Sequence, residues 1–168
     1  MRNVACLSVI LASIAAGSCV VAAEWFPFAD VKANMLSKGF SRPDKKNALW
    51  GGYQKADKTE SADVSLSQHA VIATLVCRFA AGQFQDDAAA FKTFDKLLSD
   101  SLGKGASGKD GQSLRKALRN ALKRATSPTD GPNVLESFDG ARMKGKLMLQ
   151  KTEAAATVVQ VRMELSEK

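Results

Sequence analysis

Two stretches near the C-terminal end alternate between apolar and polar side chains, and no other feature restricts the fold as strongly. Met143, Leu147 and Leu149 alternate with Lys144, Lys146 and Gln150, and Val159, Val161, Met163 and Leu165 with Gln160, Arg162 and Glu164. Period two puts every apolar member on one side of a strand, whereas a helix would scatter them around its circumference. The spacer 152–156 joins the two into a hairpin, with outward Lys and Glu able to pair across it. A sheet with one buried face is therefore the frame of this chain.

Other segments fit the same frame. Val64 and Leu66 alternate with Asp63, Ser65 and Ser67. After a turn at Gln68-His69, the run 71–79 is apolar on both faces and rich in Val, Ile and Thr, as in a central strand. Leu49-Trp50-Gly51-Gly52-Tyr53 reads as a short first strand weakened by its glycines, and 134–138 as a short strand behind the breaker cluster 128–132.

Helical spacing appears three times. Pro27 opens a helix whose face is Val31, Met35 and Leu36; Gly39 stops it, and Phe40 supplies the hydrophobic contact beyond a glycine cap. Asp86 or Asp87 begins a second helix carrying Ala90, Phe91, Phe94, Leu97, Leu98 and Leu102. Leu114, Ala117, Leu118, Ala121, Leu122 and Ala125 form a third. Between the last two, 103–111 is expected to be a flexible basic loop. The fold class is α+β: an antiparallel sheet with two or three amphipathic helices packed on one face. Helix plus three-strand meander occurs twice, which suggests a degenerate duplication.

The N-terminal 23 residues read as an export signal. Arg2 is followed by an uncharged run from Val4 to Val21, and Val21-Ala22-Ala23 offers small residues for cleavage ahead of Glu24, the first acid. Cleavage after Ala23 would leave 24–168 as one α+β domain, periplasmic or secreted. Ala16-Gly17-Ser18-Cys19 resembles a permissive lipobox, which would lipidate Cys19 and anchor a lipoprotein, although the usual Leu three residues before the cysteine is missing. An uncleaved signal would anchor the chain through about 20 residues. Cys6 and Cys19 fall in this segment, so Cys77 stands alone in an apolar run and reads as a buried thiol.

The chain shows no catalytic constellation. Gly103-Lys104-Gly105-Ala106-Ser107-Gly108 spells G-x-G-x-x-G and overlaps a phosphate-loop pattern, but a helix precedes it, and Asp110 stands where a hydroxyl would meet magnesium. Nucleotide is therefore not expected. His69, the single histidine, has Gln68 and Ala70 beside it and no orienting acid. No cofactor, metal site or enzymatic activity is expected.

Charge is the remaining asymmetry. The chain holds 24 Lys and Arg against 17 Asp and Glu; Arg2 is the leader's one charge, so the remainder carries +6. Lys104, Lys109, Arg115, Lys116, Arg119, Lys123 and Arg124, with Asp110 as their one acid, account for that whole excess. These seven are the candidate contacts to an anionic envelope component or other polyanion. Nucleic acid is disfavoured, because aromatics are not interleaved and export removes the opportunity. The leading expectation is an exported, non-enzymatic binding domain. The alternative is a protein–protein accessory module or lipoprotein of an envelope complex, using its sheet face or edge.

Overall fold

The computed structural model describes residues 25–42, 51–67, 69–80, 84, 87–126, 132–153 and 155–168. The expected leader with Cys19, the helix-opening Asp86 and the start of the first expected strand lie outside the described residues. The elements are α1 (Phe28–Ser37), β1 (Gly51–Ala56), β2 (Glu60–Leu66), β3 (Ala70–Ala80), α2 (Asp87–Leu102), a 3-10 turn (Gly103–Ala106), α3 (Gly108–Thr126), β4 (Asn133–Asp139), β5 (Met143–Glu153) and β6 (Ala156–Glu167).

The strands form one six-stranded sheet in the order β1-β2-β3-β6-β5-β4. All neighbours are antiparallel. Each meander, β1-β2-β3 and β4-β5-β6, is thus a mirror of the other in strand order, and they meet where β3 pairs with β6 along Ala70–Ala80. The helices do not repeat this symmetry. The second helix lies on β2 and β3, α3 on β4 and β5, and α1 rests on α2 and the 3-10 turn.

Register explains the buried face. Tyr53, Val64, Ala73, Met163 and Leu147 fall in one row across five strands and are all buried beneath the helices. The opposite face carries Asp63, Thr74, Arg162, Met148 and Leu135 in the adjacent register, and no described helix covers it. This is the α+β arrangement expected from the alternation.

The aromatics at the start are core residues. Trp25, Phe26 and Phe28 are buried, with ring centroids 5.1 to 6.2 Å apart and edge-on or tilted contacts. At the end of α1, the Phe40 N–H donates to the Met35 carbonyl at 3.0 Å and the Gly39 N–H to that of Leu36 at 3.2 Å. This paired pattern closes a helix on glycine and brings Phe40 back onto the core.

Two local expectations are corrected. Residues 103–111 are not a flexible loop: they form the 3-10 turn and the first turn of α3. Gly105 lies so close to the Phe26 ring that any side chain there would overlap it. What reads as a linker composition is therefore a packing surface. The hairpin strands also extend beyond the alternating stretch, to Glu153 and from Ala156, and Lys146 faces Glu164 in register without pairing with it. Glu164 instead takes its own strand neighbour Arg162 at 3.0 Å.

Candidate functional site

The basic segment divides into two classes once its partners are seen. Lys104 holds Asp30 at 2.8 Å. Arg115 holds Asp95 at 2.6 Å, donates to Ser99 Oγ at 3.1 Å and also donates to the Ala106 carbonyl. Arg124 holds Glu136 at 2.9 Å and reaches the Leu135 carbonyl at 3.4 Å. Arg119 lies 4.4 Å above the Phe91 ring, a cation–π contact that ties α3 to α2. Arg115, Arg119 and Arg124 join α3 to its neighbours, and Lys104 joins the 3-10 turn to α1.

Lys109, Lys116 and Lys123 form no ion pair with any described residue. They recur every seven positions, which on a helix is nearly the same direction, so they run along the crest of α3 away from the sheet. All three are exposed, and the line spans about 21 Å. Lys109 lies in the first turn of α3, where the helix dipole disfavours positive charge.

The crest borders the open edge of the sheet. Three contacts set helix and strand side by side and antiparallel: Arg124 meets Glu136, Asn120 and Lys116 stand by Ser137, and Asp110 meets the turn after Asp139. Between them lies a hollow of about 340 Å³ lined by Ser113, Lys116, Ala117, Asn120, Ser137, Phe138 and Asp139. Asp139 is neutralised by Lys168 at 2.9 Å. The two edges of the sheet differ: on β1, Ser41 exchanges two 2.8 Å backbone bonds with Gln54, whereas β4 has no outer partner among the described residues.

The phase of the β4 edge follows from its turn. The Gly140 N–H donates to the Met143 carbonyl and the Lys151 N–H to that of Pro132, both at 2.8 Å. Even-numbered residues therefore bond to β5, and the backbone groups of Asn133, Leu135, Ser137 and Asp139 point outward.

Asp110 secures this corner. Its Oδ1 accepts the backbone N–H groups of Arg142 and Met143 at 3.0 and 3.3 Å, and Arg142 lies 3.6 Å from Oδ2. Burial acts to raise its pKa, but the N–H groups of 141–143 and the Arg142 charge outweigh it and hold the carboxyl below its ordinary range. Gly140 passes so close to Asp110 Oδ1 that a side chain there would collide with it. The residue that departs from a phosphate-loop pattern is thus a structural tie; Gly105 and Gly111 serve packing, while Gly108 has φ +60° and no neighbour within 4 Å of a Cβ there.

The uncovered sheet face holds two further hollows. One, of about 480 Å³, is bordered by Lys144, Lys146, Glu164 and Ser166; the other, of about 270 Å³, by Leu135, Met148 and Arg162. Leu135 and Met148 are 59% and 41% exposed and directly opposite in register. Sequence reading passed over both, because an edge strand of seven residues gives too few alternations to show which way Leu135 faces.

His69 is exposed at the β2–β3 turn. Cys77 is 1% exposed, and burial, with lesser repulsion from Glu60 and Asp57, pushes its thiol up to about 12. Among the described residues no three His, Cys, Asp or Glu side chains gather as a metal site, and no helix is long and apolar enough to cross a membrane. Compared with protein-family models, with curated proteins and with solved structures, the chain matches none.

Proposed function

We propose that this chain is an exported, non-enzymatic binding domain that recognises a densely anionic partner along the crest of α3. The supporting observation is the division of the basic segment: Lys104, Arg115, Arg119 and Arg124 are engaged within the fold, while Lys109, Lys116 and Lys123 align on one exposed line without a described counter-charge. Unspent charge aligned over about 21 Å attracts an extended anion and orients it on approach. The non-enzymatic part is supported by how the chemically capable groups are used, with Asp110 holding a turn and Cys77 sealed in the core as a neutral thiol. Export rests on the leader sequence.

The test is retention on immobilised heparin, used as a generic polyanion. Replacing Lys109, Lys116 and Lys123 by Gln should lower affinity about 10- to 100-fold at low salt, whereas the same change at Lys38, Lys58 and Lys92 should not. Equal loss in both triple variants would reduce the effect to net charge and contradict the reading.

A second reading, an accessory module docking through its sheet face, is favoured by the adjoining exposed Leu135 and Met148. It predicts binding that is indifferent to salt and lost on Leu135→Ser together with Met148→Ser.

A further inference from the structure

We infer that the anionic partner of this domain is an extended acidic polypeptide segment that adds antiparallel to β4 as a seventh strand, beneath the lysine crest of α3. The inference rests on the proposed function and narrows the partner from any polyanion to a peptide backbone.

Three independent features meet at this edge. The outward N–H and carbonyl groups of Asn133, Leu135 and Ser137 are unpaired by any described strand, apart from the Leu135 carbonyl that Arg124 reaches at 3.4 Å. An unpaired edge is a template for main-chain bonding. The edge also lacks the usual obstructions: β4 contains no proline and no lysine, and its outward-phase residues are Asn133, Leu135, Ser137 and the neutralised Asp139. Finally, the helix runs alongside the strand, and the hollow between them has Ser113, Lys116 and Asn120 on its helix wall. An added strand would fill that hollow with alternate side chains.

Charge decides which strand fits. Side chains of the added strand that project toward α3 meet Lys116, with Lys109 and Lys123 above and below it, so acids are favoured on that face; Glu136, on the same side of β4, is held by Arg124 at 2.9 Å. A second copy of this chain is disfavoured at the same edge, because pairing β4 with β4 would bring two lysine crests together. The face of the strand away from α3 would continue the row of Leu135 and Ser137, where small or β-branched side chains suit the sheet.

Antiparallel geometry fixes the phase of the peptide. Residues directly opposite share a face, so the peptide residues that bond to Leu135 and Ser137 point their side chains away from α3. The acidic residues, facing α3, turn their own N–H groups away from β4.

The probe is a capped octapeptide alternating Thr and Glu, titrated into the full chain by fluorescence anisotropy. Methylating the Thr nitrogens should weaken binding at least about tenfold, whereas methylating the Glu nitrogens should leave it within about twofold. Ser137→Pro should weaken the unmodified peptide about tenfold while leaving heparin affinity unchanged. The N-methyl pair needs no protein variant, so the test survives a failure of Ser137→Pro to fold. Equal binding of both methylated peptides, or no binding of the unmodified peptide, overturns strand addition. So does a concentration-dependent dimer that Ser137→Pro abolishes. If heparin is still lost on replacing the three lysines, the proposed function stands without it; if peptide and heparin bind that triple variant as before, the proposed function itself fails.

Discussion

At the scale of single residues, Asp110 joins α3 to the turn between β4 and β5. Its carboxylate accepts two backbone N–H groups that have no other acceptor in the described fold. Asp110→Ala should cost about 2–4 kcal/mol in denaturant unfolding, since it orphans one buried and one part-buried donor of a charge-assisted pair. Gly140→Ala should cost about 1–3 kcal/mol by forcing a methyl group into that carboxylate. The contribution of Asp110 also carries a pH signature. Its folded pKa lies below the ordinary value of 3.8, so its stabilisation is complete above the unfolded pKa and disappears as pH falls through the folded one. The stability gap between the protein and Asp110→Asn should be constant near neutrality and close as pH falls below the ordinary carboxylate range. A gap that persists in acid would assign the bonding to something other than the ionised carboxylate. None of this was legible in the sequence, where Asp110 showed only as a mismatch to a phosphate loop. Its partners lie some thirty residues further on, and local patterns do not reach that far.

At the scale of elements, alternation and helical spacing recover the described strands and helices but not their ends. Strand ends are set by pairing with a neighbour, as Glu153 is set by Thr157; the 3-10 turn is set by Phe26 against Gly105. The candidate surface was half legible. The sevenfold spacing of Lys109, Lys116 and Lys123 is visible in the sequence, but the engagement of Lys104, Arg115 and Arg124 by acids depends on tertiary contacts. Edge phase gives a sharp elemental prediction. Ser137 and Lys146 are exposed and opposite each other in register, yet the Ser137 N–H faces outward while that of Lys146 bonds to β6. Proline should cost about 1 kcal/mol at position 137 and about 3 kcal/mol or more at 146, read by thermal unfolding. Similar costs would place the β4 edge in the opposite phase.

At the scale of the whole molecule, the sheet is centred on β3 and β6, and no described residue covers one of its faces or pairs with one of its edges. Amide hydrogen exchange should follow this layout, slowest along the paired cores of β3 and β6, with rapid exchange at the odd-numbered amides of β4. Protection of the odd-numbered β4 amides equal to that of the even-numbered ones would mean that the edge is covered. The fold class was readable from periodicity because one-sided burial imprints itself on every strand. The proposed contact side was not, since a cation in contact with an acid and a cation in contact with water look the same in a sequence.

The lysine crest of α3 and the neighbouring β4 edge make up the proposed contact surface. Its most direct test is an amide chemical-shift map of the protein titrated with a short polyglutamate at low ionic strength. Shifts confined to 109–123 and 133–139 are predicted; shifts centred on Lys144, Lys146 and Arg162, across the uncovered sheet face, would contradict it.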